Sequence, residues 1–413
     1  MTLFRCVVLA ALCCGLAGFG SVAAARTSYE VDYRVRFVPG SGEAEVTIAT
    51  RPRDGRLIAL DLTLVPGRYR GFAGDGEIVA ETERLRWSPP VDGGRLSYRY
   101  RIDKQRRGGG YDAHAADTWV IVRGDHLVPP ATVRTTAGAD SRTRLYFDLP
   151  EGWSVDTPWV LNKAKTAYVV VNPERRFDRP TGWMIAGELG VRRDFMRGLT
   201  GQVSVAAPRG DAFRRNEVLA MVHVAYPELE AAFGRLPAKL LIVGAGDPMW
   251  RGGLSGPRSL YFHSERPLIS ENGTSTLFHE LVHVITRLQG SHADWIVEGI
   301  AEYYSLSLLY RSGLISEARF QRGLDWMRNH GRSVKSLDVA RSHGPVTARA
   351  VVLFADLDTE IRRRTDDDRS LDDVVQALMK VGKPRFADLR AAAEAAIGAP
   401  SETLRATILK DAP

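Results

Sequence analysis

His279-Glu280-Leu281-Val282-His283 is followed, fifteen positions after the second histidine, by Glu298 within Asp294-Trp-Ile-Val-Glu-Gly-Ile-Ala-Glu-Tyr-Tyr304, and the rest of the chain is read outward from this pair of segments. On a helix, positions four apart lie on one face, so both imidazoles can reach one ion. Phe278, Leu281, Val282 and Val284 can bury the other sides of that helix and hold it still. Gly290-Ser-His292 lets the chain turn, so that a second helix can run back against the first. Glu298 then completes a His₂Glu set and leaves the fourth position open for water, as a catalytic zinc requires. Glu280 adjoins the first ligand. It can accept a proton from that water and later deliver one to a leaving group.

The five-residue motif alone is weak, since with nine His in the chain it should arise by chance in about one such sequence per hundred. Glu298 at the right spacing is what strengthens it. Glu302, one helical turn further on, can hydrogen-bond a ligand imidazole from behind. Asp294 is the other carboxylate the spacing offers as a third ligand, and in isolation Glu298 and Glu302 would read as solvated helix acids. The expected cofactor is one Zn²⁺ per chain.

Outside these segments the 413 residues divide by periodicity. Tyr29, Val31, Tyr33, Val35 and Phe37 alternate with polar residues, the period of a half-buried strand. Leu96, Tyr98, Tyr100 and Ile102 repeat the pattern, and runs at Trp119, Leu145 and Tyr168 read as further strands. After Pro208 the pattern turns helical: 214–233, 274–288, 294–310, 317–329, 348–364, 371–381 and 385–397, with short strands at 240–243 and 259–262. Ser370 and Asp373 make a capping box, and Thr274 is the expected cap of the motif helix. The fold class is therefore α+β: an antiparallel β-sandwich-like domain over 26–208, then a mostly helical domain with a small sheet over 209–413.

Residues 1–25 have another character. Arg5 precedes an apolar run from Cys6 to Phe19, and Ala23-Ala24-Ala25 offers a small-residue cleavage site, so this is read as a signal peptide rather than an uncleaved anchor. The expected destination is a bacterial periplasm or the cell exterior. Cys6, Cys13 and Cys14 all fall within it, leaving no cysteine from residue 26 onward. Thiol catalysis and thiolate zinc sites are thereby excluded for the mature chain, and its metal has to be held by His and carboxylate. The net charge of +7 is scattered, with basic runs such as Arg362-Arg363-Arg364 lying beside Asp366-Asp367-Asp368. That reads as a solvated face, not a nucleic-acid surface. No later apolar run approaches membrane-spanning length. Ser255 lacks the glycine a nucleophile elbow needs, since Pro257 stands two residues on.

These motifs resemble the gluzincins, thermolysin-like zincins, and most closely the glycyl aminopeptidases, relatives of aminopeptidase N. Gly252-Gly253-Leu254 followed by Arg258-Ser259 is similar to that family's substrate-facing strand, and 349–362 with Ser370-Leu-Asp-Asp-Val-Val375 to its helix pair after the site. The resemblance implies zinc on His279, His283 and Glu298, with Glu280 as general base. It implies a peptide or protein substrate. Two positions depart from the family pattern: Ser255 stands where a Glu grips the substrate's amine, and Thr347 where a Tyr donates to the oxyanion. His343, four residues before Thr347, is a candidate replacement donor; Tyr261, His263 and His292 are others. The family's PDZ-type module is not expected here. The expected activity is an exported zinc-dependent peptidase-like hydrolase; the alternative is a binding or assembly protein that keeps the zincin scaffold.

Overall fold

The computed structural model describes residues 26–196, 201–234, 236–290, 293–405 and 409. The expected signal peptide and His292 lie outside the described residues.

The alternating stretch becomes the strand Ser28–Val38, and Tyr29, Val31, Tyr33, Val35 and Phe37 are all buried. Its partner on one side, Glu43–Pro52, is antiparallel; its partner on the other, Asp140–Asp148, is parallel. The first half is therefore built on a mixed seven-stranded sheet, not a purely antiparallel one. Alternation dictates which face of a strand is buried but says nothing of its neighbour's direction. A parallel neighbour needs a long crossover, supplied here by the strands between residues 52 and 140. A four-stranded sheet containing Leu57–Thr63 and Arg84–Ser88 closes over the same apolar core, where Leu60, Leu62, Leu85 and Trp87 meet Tyr33, Val46 and Tyr98.

The strands Trp119–Arg123 and Trp183–Gly187 pair antiparallel and are buried on both faces. Val120, Val122, Met184 and Ala186 point into the first half's core. Ile121 and Ile185 point the other way, against Leu241, Val243 and Tyr261 of the second half. The unbroken apolar run Val120-Ile121-Val122 is thus the signature of a strand with no solvent face. Beneath it Asp156, fully buried, accepts from Lys239 Nζ at 2.7 Å and from the Ser204 hydroxyl at 2.5 Å. A buried acid so paired ties the two halves at a fixed register.

The second half carries a five-stranded sheet in the order 189–195, 202–208, 239–245, 259–263, 253–256. The three inner strands are parallel to one another, and Gly253–Gly256 is an edge strand. Its first two strands precede residue 209, so a boundary drawn at the change of periodicity cuts through one sheet. The strand character of 202–208 is masked in sequence by small residues, Val203-Ser204-Val205-Ala206-Ala207, all buried.

Against this sheet pack the helices Arg215–Phe233, Thr276–Thr286, Asp294–Arg311, Glu317–Gly331, Pro345–Arg364, Leu371–Val381 and Phe386–Ile397. Pro345–Arg364 begins a turn earlier than its apolar pattern suggests, because Gly344 and Pro345 open it with proline in the first turn. The Ser370–Asp373 capping box forms. The cap of the motif helix is not Thr274: Ser275 Oγ accepts from Phe278 N at 3.4 Å, while Thr274 Oγ1 donates to Asn272 Oδ1 at 3.1 Å. No described helix is long and apolar enough to cross a membrane.

Candidate metal centre

The motif helix Thr276–Thr286 buries Leu277, Phe278, Leu281 and Val282 in the main core of the second half. That leaves His279 and His283 on the opposite face, one turn apart. The helix Asp294–Arg311 runs beside it, with Trp295, Ile296, Ile300 and Tyr304 buried. Gly299 lets the helix Pro345–Arg364 approach closely: a Cβ there would lie 2.6 Å from Ala350 Cβ and 2.8 Å from the Phe354 ring. Clamped between two helices, Asp294–Arg311 holds Glu298 toward the histidines.

The three side chains converge. His279 Nε2 and His283 Nε2 are 3.1 Å apart, Glu298 Oε2 lies 3.4 Å from the first, and Glu298 Oε1 lies 3.6 Å from the second. Three ligands about 2.0–2.1 Å from a tetrahedral ion would stand roughly 3.3–3.4 Å from one another. The spacings are close to that, the two Glu298 oxygens each facing one histidine, and among the described residues this is the group of His and acidic side chains spaced to hold an ion. Two imidazole nitrogens facing each other at this distance need a cation or a proton between them. Burial alone would lower the pKa of His279, but hydrogen bonds to Glu298 and Glu302 outweigh it and hold it well above the usual imidazole value. Burial would raise Glu298; the two histidines overcome this and leave its carboxyl well below the usual range.

Glu302 Oε2 accepts from His279 Nδ1 at 2.8 Å. Glu280 is nine-tenths buried and lies over the edge strand: a Cβ on Gly253 would come within 2.7 Å of Glu280 Cγ and 3.2 Å of its Oε1. Gly252 is equally constrained, its missing Cβ facing the Trp250 ring at 2.3 Å, and Leu254 is half-buried. Ser255 carries its backbone oxygen toward Arg123 Nη1 at 3.4 Å. Asp294 turns away from the triangle and accepts from Ser342 N at 2.7 Å.

A cleft of roughly 300 Å³ opens beside the triangle, lined by His279, Glu298, Glu302, His343, Thr347 and, from the helix Glu317–Gly331, by Trp326, Met327 and His330. His343 and Thr347 thus share one wall, and Thr347 Oγ1 lies 3.0 Å from Ser342 Oγ. Tyr261 and His263 do not reach it. Tyr261 is buried with its hydroxyl donating to Trp250 O at 3.0 Å, and His263 is buried with Nδ1 accepting from Glu265 N at 3.2 Å. Trp295 and Tyr303 are core residues, the first stacked on Phe354, the second donating to Asp358 Oδ2 at 3.1 Å. The contribution of 326–330 went unread in the sequence. Its only signal was Trp326 and His330 four apart on a helix, with nothing to tie that helix to the motif.

A scan against protein-family models finds no match for this chain, and neither does a search of curated proteins. Solved structures do match. An aminopeptidase N family protein from Idiomarina loihiensis superposes with a TM-score of 0.63 over 91% of this chain and 72% of its own, at 14% identity. An M1 zinc metallopeptidase from Deinococcus radiodurans superposes with a TM-score of 0.55 over 93% of each chain, at 16% identity. A mutant of the M1 zinc metallopeptidase from the same organism, bound to a Tyr-Ser-Ala substrate, gives the same scores and coverage. Likeness at these identities establishes the fold alone, one shared with these aminopeptidase N-type structures.

Proposed function

We propose that this chain, with its aminopeptidase N-like fold, is an exported zinc-dependent metallopeptidase that hydrolyses peptide bonds. His279, His283 and Glu298 would hold the ion, and Glu280 would serve as general base. The observation that carries this reading is their convergence, 3.1 Å between the two Nε2 atoms and 3.4 and 3.6 Å from these to the two Glu298 oxygens. Bound there, zinc supplies Lewis acidity and brings the pKa of a coordinated water to about 7.

The chain's own residues do the rest. Glu280, on the same helix as both histidines, takes the proton from the attacking water and passes it to the departing amine nitrogen. Glu302 holds the His279 ring so that Nε2 faces the ion. The strand Gly253–Gly256 is the last of its sheet with a face against the motif helix, and an extended peptide can add to such an edge through backbone hydrogen bonds. Gly253 leaves room for the Glu280 carboxylate between strand and helix. His343 and Thr347, across the cleft, are the groups placed to donate toward a developing oxyanion. Ser255 offers no charge for a free amine, so the specificity we propose extends beyond N-terminal residues. Residues 1–25 would direct export and be removed.

A second reading, a binding or assembly protein on the same scaffold, is favoured by one feature. Thr347 is engaged with Ser342 where a stronger phenolic donor would serve catalysis better. Loss of one oxyanion donor costs on the order of 10²–10³ in rate. Metal analysis and a peptide-library digest decide between them, with Glu280→Gln as control. About one zinc per chain and cleavage that vanishes in the variant support the peptidase. Zinc without cleavage supports the binder. No zinc after reconstitution removes both.

A further inference from the structure

Next to the metal cleft lies a larger cavity, roughly 820 Å³, walled by Arg266, Ser270, Asn272, Arg319, Arg322 and Trp326. Asn272 and Trp326 also line the metal cleft, so the two spaces share a wall. We propose that this cavity is a subsite for a carboxylate of the bound peptide. The proposal rests on the peptidase reading only for the peptide's presence in the cleft.

The arginines of this cavity stand without acidic partners among the described residues. Many exposed arginines elsewhere have an acid at hydrogen-bond distance, as in Arg70–Glu43, Arg99–Glu45, Arg251–Glu265 and Arg369–Asp373. Among the described residues, none of Arg266, Arg319 and Arg322 has a carboxylate within 4.0 Å. Glu271 shares their cavity and pairs with none of them, so the wall keeps a surplus of positive charge. Arg319 is fixed, its Nη2 donating to Ser270 O at 3.0 Å, whereas Arg266 and Arg322 are exposed and free to move onto a ligand.

The shared wall has its own chemistry. Trp326 is 43% exposed and stacks on His330 with ring centroids 4.6 Å apart, presenting a flat apolar face between metal and arginines. A peptide leaving the metal cleft would cross that face before reaching the guanidiniums. Guanidinium forks suit carboxylates in particular, because two parallel N–H donors match two oxygens. That carboxylate could come from an Asp or Glu side chain or from the peptide's C-terminus. Both fit the same donors.

The test is fluorescence anisotropy with the full chain in a Glu280→Gln background, which prevents turnover during titration. Four labelled heptapeptides of otherwise equal sequence are compared: neutral and amidated, neutral with a free C-terminal carboxylate, amidated with internal Glu, and amidated with internal Lys. The expected result is binding on the order of tenfold tighter for one or both carboxylate peptides than for the neutral one. Whichever peptide shows it identifies the source. That ratio should fall to near one when Arg266→Gln and Arg322→Gln are combined. Arg322→Glu, a single exposed change, should instead favour the Lys peptide. A ratio near one in the parent, or one that survives in both variants, overturns the subsite. Peptide turnover is measured separately with Glu280 intact. Retained preference without turnover would remove the peptidase and keep the subsite; turnover without preference would do the reverse.

Discussion

Glu302 takes a hydrogen bond from Nδ1 of His279 at 2.8 Å, and that contact selects the ring's tautomer. With its proton held on Nδ1, the ring would give its Nε2 lone pair to an ion that displaces the Nε2 proton, and Nε2 is the atom that faces His283 and Glu298. The acid also makes the ring a better electron donor.

Replacing Glu302 with Leu should therefore weaken zinc binding by roughly 10–100-fold while leaving the fold in place. Competition with a chromophoric chelator reads the affinity directly. Unchanged affinity would mean that the hydrogen bond is incidental to the ion.

Gly253→Ala places a methyl 2.7 Å from both Glu280 Cγ and Thr276 Cγ2. Either the strand backs away or Glu280 swings off its position. Displacing a catalytic group by about 1 Å can cost on the order of 10² in rate. Turnover should fall by that order with the zinc content still near one per chain. Loss of metal along with activity would place the damage in the helix instead of the base.

Gly299→Ala tests how tightly the carboxylate-bearing helix is clamped. The new methyl would stand 2.6 Å from Ala350 Cβ. Overpacking of this kind typically costs about 1–3 kcal/mol. A lower thermal midpoint is expected together with weaker zinc binding, since Glu298 is the neighbouring residue. A variant as stable as the parent would show that the helices separate easily.

Glu360, outside the site formed by His279, His283 and Glu298, provides a pH-dependent contribution to stability. Burial would raise its pKa, but the backbone N–H groups of Glu402 and Thr403 and the Ser401 hydroxyl, at 2.8, 2.9 and 2.8 Å, lower it to about 2. A carboxyl depressed on folding stabilises the native state fully above its unfolded value, near 4.5, and loses that contribution as pH falls toward 2. Glu360→Gln should lower stability by about 2 kcal/mol at pH 7. The gap in denaturation midpoint should narrow between pH 4.5 and 2. A gap independent of pH would assign the loss to packing alone.

How much of this was readable beforehand depends on the range of the interactions involved. The helices of the second half follow from apolar period and local caps, so Leu371–Val381 with its Ser370–Asp373 box stands where the pattern puts it. The convergence of His279, His283 and Glu298 was legible because four-residue spacing dictates one helix face and a short turn limits where the next helix can go. What could not be read is longer in range. Nothing in Asp140–Asp148 announces a parallel neighbour, and the small residues of Gln202–Pro208 hide a central strand. Asp294 and Glu298 were both available as ligands in sequence; Ser342, 48 residues on, occupies the first of them. Trp326 and His330 reach the cleft only through packing between helices, which no local pattern encodes.

The parallel ladder joining Tyr29 to Ser141 has a cost in time. A ribosome emitting about 5–20 residues per second leaves the edge of Ser28–Val38 without its downstream partner for an interval on the order of ten seconds. Throughout that interval the hairpin with Glu43–Pro52 presents a row of open amides and carbonyls to any passing strand. Chains made rapidly in crowded conditions should therefore misassociate through this first hairpin, and slowing synthesis, or supplying a holding chaperone, should raise the yield of soluble protein.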